Sequence, residues 1–272
     1  MGDQRLLGAR LGFTEGPLWT ADGRLLVTSV SRGQVREIDL DGGGALDAIE
    51  TGGGPNGLAE DAAGRIWVAQ SGGRTMPTRS GVRVAPGLQR IEGRLGSTAV
   101  TEEPTSGLRA PNDLVAGPDG RIWFTDPGPH DEGPGQVYAH DPGTGTTTLI
   151  ADGIDYPNGL LFVGDVLLVA ETRTGAVLAV TGGATEVFAT LPGGGDGMAL
   201  AADGRILVAV PDRDLIAVLA PDGSALEPIR FAEPAFPTNL CFAGPDLDVL
   251  VVTAAKGGRV LALDGIGRGA PA

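Results

Sequence analysis

One short motif occurs six times along this chain, and a repeat that cannot bury its own apolar face must stack against copies of itself. The copies are TEGPLWTADGRLLVTS from Thr14, PNGLAEDAAGRIWVAQ from Pro55, PNDLVAGPDGRIWFTD from Pro111, PNGLLFVGDVLLVAET from Pro157, GDGMALAADGRILVAV from Gly195 and PTNLCFAGPDLDVLVV from Pro237. Each reads as strand, tight turn, strand. In the second copy Gly57–Glu60 leads through Asp61-Ala62-Ala63-Gly64 into Arg65–Gln70. Third strands follow at Gln34–Asp39, Gly135–His140, Gly175–Val180, Leu215–Leu219 and Arg259–Asp264. Fourth strands follow at Ala45–Glu50, Thr146–Ala151, Glu186–Thr190 and Pro228–Phe231.

Four-stranded units repeated radially make a β-propeller. The expected fold is therefore all-β: a single six-bladed propeller domain over residues 1–272. The last copy lacks a fourth strand of its own, and Arg5–Leu11, upstream of the first copy, supplies it and closes the ring. The 46 Gly and 20 Pro residues, set against only 4% aromatics, suit many short strands joined by tight turns. Adjacent copies are spaced 38–46 residues apart, except that 56 residues separate Asn56 from Asn112. The segment Ser71–Arg109 should thus carry an insertion, an irregular loop around Met76-Pro77-Thr78 that is either a rim lid or a tolerated surface insertion.

The first strand of a propeller blade lines the central channel, so equivalent positions converge from distant parts of the sequence. Glu15, Asn56, Asn112, Asn158 and Asp196 occupy that position in five copies, with Thr238 in the sixth. Carboxylates and amide oxygens are hard ligands, suited to Ca²⁺ rather than to the nitrogen- and sulfur-seeking Zn²⁺. Single Asn-Gly or Asp-Gly pairs are usually turns. Here the hairpin turn lies several residues later and the register holds in five copies, which favours a ring of ligands. A repeat could also preserve Asn-Gly for purely structural reasons.

Other chemistries find little support. His130 and His140 lack metal-ligand spacing and read as solvated loop and strand-end residues. No G-x-S-x-G elbow, H-E-x-x-H, phosphate loop or dinucleotide fingerprint stands in its required strand-to-helix context. The single Cys241 lies in an apolar stretch and reads as an inert small hydrophobe. The net charge of −14 opposes binding to a phosphate backbone, so no nucleic-acid partner is expected. The N-terminal MGDQRLLGARLGF has no signal-peptide core and no stretch approaches about 18 apolar residues. A cytoplasmic protein with no membrane partner is expected, with oligomeric state left open.

Glu15-Gly16-Pro17, Pro111-Asn112-Asp113, Pro157-Asn158-Gly159 and Asp196-Gly197-Met198, in this order and spacing, resemble the SMP-30/gluconolactonase/regucalcin-like family of six-bladed propellers. Phosphotriester-hydrolysing diisopropyl fluorophosphatase is a more distant likeness. The resemblance covers essentially the whole chain. It implies that Glu15, Asn158 and Asp196 bind one divalent cation, with Ca²⁺ favoured over Zn²⁺, Mg²⁺ or Mn²⁺. It also implies that Asn112 contacts a small-molecule substrate or completes the shell, and that Asp196 acts as catalytic base. Asn56 and Arg109 are further substrate-binding candidates. The chain departs from some sugar-lactone members, which carry Arg two residues before the site Asn; here Ala110 stands there and Arg109 one step earlier.

The implied activity is cation-dependent opening of a small lactone, with Asp196 as base or as nucleophile. The alternatives are a phosphotriesterase using the same residues and a non-catalytic, metal-stabilised propeller that binds a protein partner.

Overall fold

The computed structural model describes residues 3–92, 99–103, 105–130 and 132–271. These residues form six four-stranded antiparallel sheets arranged as the blades of a ring. Blade 1 comprises Thr14–Trp19, Leu25–Ser29, Gln34–Asp39 and Gly44–Glu50. Blade 2 comprises Pro55–Glu60, Ile66–Gln70, Gly87–Glu92 and Ala99–Glu102. Blade 3 runs through Leu114–Ala116, Ile122–Asp126, Gly135–Asp141 and Thr146–Ile154, and blade 4 through Pro157–Val163, Val166–Glu171, Ala176–Thr181 and Ala184–Thr190. Blade 5 uses Met198–Leu200, Ile206–Val210, Leu215–Leu219 and the two-residue strand Ile229–Arg230. Blade 6 uses Pro237–Ala243, Val249–Ala254 and Arg259–Asp264, completed by Gln4–Gly8.

The second strands are apolar on both faces because each blade packs against two neighbours. Side chains alternate across a strand. Ile206, Val208 and Val210 accordingly meet Leu168 and Ala170 of blade 4, while Leu207 and Ala209 meet Leu250 and Val252 of blade 6. The same alternation builds an apolar cluster between every pair of adjacent blades. The ring closes as expected from the sequence: Gln4–Gly8 pairs antiparallel with Arg259–Asp264, and the Arg5 Nε reaches Asp264 Oδ2 at 2.8 Å. Leu7 and Leu11 are buried with Val27, Val260 and Ala262, so closure rests on apolar burial as well as on ladder bonds.

The D-G-R turns between first and second strands have one local cause. In blade 3 the Asp119 carboxylate accepts from the backbone amide of Arg121, from Arg121 Nε and from Trp123 Nε1, while Gly120 takes a positive φ of 77°. An aspartate that satisfies its own turn, followed by glycine in the left-handed region, gives a sharp reversal.

The 56-residue spacing arises within Ser71–Arg109, from an irregular loop that includes Met76-Pro77-Thr78 as expected. That loop spans residues 71–86, which carry Met76 and precede Gly87–Glu92 and Ala99–Glu102, the outer strands of blade 2. The loop is fastened to blade 1 by Arg79 N–H donating to Ser31 O at 2.8 Å and to its own blade by Gly53 N–H donating to Val82 O at 3.2 Å. Residues 93–98 within that segment lie outside the described residues.

Candidate active site at the channel mouth

All five aligned polar residues, Glu15, Asn56, Asn112, Asn158 and Asp196, line one cavity of about 830 Å³ at the mouth of the channel. In blades 1, 2 and 4 they lie within the inner strand. In blades 3 and 5 the inner strand starts later, at Leu114 and Met198, yet the Asn112 and Asp196 amides still donate to Thr125 O and Ala209 O at 2.9 Å. The second strand therefore holds the register one step beyond the formal ladder.

The residue after each of these five, and after Thr238, explains why glycine recurs. A Cβ on Gly16 would lie 2.3 Å from the Asn56 carbonyl oxygen, and one on Gly159 would lie 2.2 Å from the Asp196 carbonyl oxygen. Neighbouring inner strands thus approach too closely for a side chain. Gly159→Ala is expected to cost about 1–3 kcal/mol through forced overpacking. Thermal unfolding would register this as a fall of several degrees. Gly81→Ala, whose Cβ meets nothing within 4 Å, is the control that should barely move.

Blades 3 and 6 replace that glycine with Asp113 and Asn239. These blades face each other across the ring, and Asn239 Nδ2 donates to Asp113 Oδ2 at 3.2 Å. The bond spans the channel in the room left by the glycines: a Cβ on Gly57 would meet Asp113 Oδ1 at 2.3 Å, and one on Gly197 would meet Asn239 Oδ1 at 2.0 Å. Asn239 also hydrogen-bonds to Glu15, so a single amide stands between two carboxylates.

The electrostatics follow from this crowding. Burial first, then the charges of Asp196 and Asp113, hold the Glu15 carboxyl well above the usual range. Desolvation and then Asp113 raise Asp196, and burial pushes Asp113 up to about 6. Glu15 and Asp113 are buried, whereas Asp196 is half-buried and faces the cavity. Acidic groups this close ionise together only if positive charge joins them. Among the described residues no three His, Cys, Asp or Glu side chains meet as a metal cluster. The donor set is a mixed one, with the amide oxygens of Asn158, Asn112 and Asn56 beside the carboxylates, and its hard oxygens fit Ca²⁺ chemistry. Asn158 Nδ2 donates to Thr172 Oγ1 at 3.3 Å, which turns the amide's oxygen away from that partner.

Arg109 is placed elsewhere. It is absent from the cavity lining, and its guanidinium donates to the carbonyls of Asp126, Pro127, Glu132 and Pro134. That arginine clamps the loop after the second strand of blade 3. His140 is not a solvated strand-end residue but a fully buried one, packed on Trp67 at 5.4 Å with Nδ1 against Thr147 Oγ1 at 3.0 Å. Burial lowers its pKa. Cys241 packs beside the blade 6 and blade 1 core, and burial pushes its thiol up to about 12, in keeping with an inert role.

The cavity also holds residues that motif reading passed over. His130 stacks on Tyr156 with ring centroids 4.7 Å apart, and the Arg173 guanidinium lies over the Tyr156 ring at 5.7 Å with its Nη1 at 3.0 Å from Asp155 Oδ1. Arg173 also donates to the His130 carbonyl. Burial, then the charges of Asp196 and Glu15, raises the Tyr156 phenol, so it stays protonated beside the axial carboxylates. Tyr156 stands two residues before Asn158, so comparing that position across the repeats would have exposed it. His130 arrives on a loop between blade strands and carries no repeat signal.

The family model of the SMP-30/gluconolactonase/LRE-like region matches residues 13–256. A pentonolactonase from Haloferax volcanii is 31% identical over 267 residues, covering 91% of this chain and 82% of the relative. A gluconolactonase from Zymomonas mobilis is 26% identical over 292 residues, covering 92% and 78%. Among solved structures, a calcium-binding regucalcin from Agrobacterium tumefaciens superimposes with a TM-score of 0.79 at 22% identity, covering 99% of this chain and 97% of that one.

Proposed function

The chain belongs to the SMP-30/gluconolactonase/LRE-like family, and on that premise we propose that it hydrolyses a small lactone with a divalent cation, Ca²⁺, at the channel mouth. The observation that carries this reading is the convergence of Glu15, Asn158 and Asp196 with two further amides in one open cavity. An open mouth favours catalysis over an ion sealed in for structure alone. Lactone opening, rather than phosphotriester hydrolysis, is the chemistry of the pentonolactonase and gluconolactonase relatives.

Glu15, Asn158 and Asp196 would hold the cation. When bound, it supplies Lewis-acid polarisation of the lactone carbonyl and stabilises the negative charge that develops there. The half-buried Asp196 carboxylate accepts a proton from the attacking water as the water's oxygen bonds to the carbonyl carbon. The bond from that carbon to the ring oxygen then breaks, and the proton passes to the departing ring oxygen, leaving a hydroxy acid. Asn112 and Asn56, on the same floor, orient the substrate by hydrogen bonding. Asn239 holds Glu15 in place from beneath, through its bond to Asp113.

Initial-rate assays of the Ca²⁺-loaded protein on a panel of γ- and δ-lactones and one phosphotriester test the reading. Lactones should be opened with much the higher kcat/KM. Turnover of the phosphotriester alone would overturn it.

The raised carboxyl pKa values set the sign of a pH effect. A cation requires the ionised groups, and the protons it must displace are held more tightly in the folded protein than in model carboxylates. Apparent Ca²⁺ affinity should therefore decline as pH falls, as protons compete for Glu15 and Asp196 and neutralise the neighbouring Asp113. Calorimetric titration at pH 7.5 and at pH 5 checks this; equal affinities would contradict it.

A further inference from the structure

The position two residues before each axial residue also forms a ring. It holds Phe13, Gly54, Ala110, Tyr156, Gly194 and Phe236 in blades 1 to 6. Three of these are aromatic, and Phe13, Tyr156 and Phe236 all line the cavity above the axial floor. Val30, Met76 and Leu191 join them, giving an apolar wall over a polar base.

This ring is held in place with unusual care. In blades 1 to 5 a side chain at the end of the blade's own second strand, or in the short turn just after it, captures a backbone amide at or beside that position. Ser31 Oγ accepts from Phe13 at 2.9 Å, Gln70 Oε1 from Gly54 at 2.5 Å and Asp126 Oδ1 from Ala110 at 2.7 Å. Glu171 Oε1 accepts from Asp155 at 2.7 Å, and Asp212 Oδ1 from Gly194 at 3.1 Å. In blade 6 the Asp214 carboxylate, from blade 5, accepts from both Ala235 and Phe236 at 2.7 Å. Tyr156 and Phe236 sit at positive φ, 64° and 54°, where a bulky side chain is costly. Phe236 is nevertheless 42% exposed, so burial of its ring in the folded protein does not account for holding it in that conformation. A strained, exposed aromatic clamped at a cavity rim is placed there for a ligand.

The charged groups of the rim are already engaged. Arg173 is tied to Asp155 and the His130 carbonyl, and Arg213 donates to the Pro192 carbonyl at 2.9 Å. Arg213 Nε also lies 3.5 Å from Asp212 Oδ2, so each of these cations already has a carboxylate beside it. At about 830 Å³ the cavity falls in the range of clefts that enclose a drug-sized ligand, so there is room beyond the reacting ring.

We infer that the preferred substrate is a neutral lactone bearing an alkyl or aryl substituent, whose ring rests on the polar floor while the substituent packs on Phe13, Tyr156 and Phe236. This rests on the lactonase reading above and adds the substrate class. The test compares a γ-butyrolactone carrying a pentyl chain with a pentono-1,4-lactone, and measures binding of the corresponding non-hydrolysable lactams by calorimetry. The Ca²⁺-loaded protein should favour the pentyl lactone by at least about tenfold in kcat/KM. Phe236→Asn removes the ring while keeping a residue that tolerates the left-handed backbone, and Phe13→Ser is a second variant at an unstrained position. Each should lower the ratio of the two kcat/KM values by about tenfold, mainly through KM for the pentyl lactone; a merely structural role would depress both substrates alike. Preference for the pentono-lactone, or a ratio unmoved in both variants, overturns the inference. If neither lactone is opened but the pentyl lactam binds more tightly and loses that advantage in the variants, the inference about the wall holds and the lactonase reading falls instead.

Discussion

Asp196→Asn is expected to lower kcat for lactone opening by about 10²–10⁴-fold, the span attributable to a lost proton-transfer group. The substitution keeps an oxygen that can face a cation but removes the anion that receives the proton of the attacking water. Asp196 is the member of the axial ring that combines a carboxylate with exposure to the cavity; Glu15 and Asp113 are buried and share Asn239. Because neutralising Asp196 also weakens attraction for a divalent cation, the comparison must be made at saturating Ca²⁺ with metal content confirmed. Under those conditions the loss should fall on kcat, with KM nearly unchanged, whereas Asn112→Ala should act mainly on KM. A loaded Asp196→Asn protein that turns over at the parental rate would remove Asp196 from the roles of base and nucleophile alike.

Chelation should abolish turnover and also lower the melting temperature. An ion that binds only the folded ring contributes its binding free energy to stability, about 2.7 kcal/mol at one hundred times Kd. For a chain of this size that corresponds to roughly 5–10 °C. The structure gives the effect a second source. Without a cation, Glu15, Asp113 and Asp196 are all raised, and a carboxyl that prefers its proton in the folded state loses stability as pH rises from the unfolded value toward the folded one. The metal-free protein is therefore penalised at pH 7.5 more than at pH 5, and restoring Ca²⁺ should raise melting more at the higher pH. Unchanged melting at pH 7.5 after verified metal removal would contradict this linkage.

The parts of the fold that were legible in the sequence are those where the repeat and the burial pattern coincide. Second strands such as Ile206–Val210 are buried on both faces, so they read as unbroken apolar runs beside a D-G-R turn. Fourth strands are mostly exposed; Ala184–Thr190 buries one residue fully, and its alternation is correspondingly faint. The outer strands of blade 2 escaped notice because residues 71–86 displaced them from the expected spacing. The five axial residues were legible since register alone brings them together, whereas the channel-crossing pair of Asp113 and Asn239 was not. Each occupies a glycine position of the repeat, and the meaning of that exchange appears only when blades 3 and 6 are seen to face each other. Arg109, one step from the position where some sugar-lactone members carry Arg, lies outside the cavity because the carbonyls of the neighbouring loop capture its side chain.

The central claim, one cation held by Glu15, Asn158 and Asp196 at the mouth of the channel, is tested most directly by a crystal structure grown with Ca²⁺, with anomalous scattering to locate the ion. Oxygens of all three side chains should lie about 2.3–2.6 Å from a single peak. A Ca²⁺ peak at any other position, or an axial ring in which these three side chains lie more than about 8 Å apart and so beyond the reach of one ion, would contradict it.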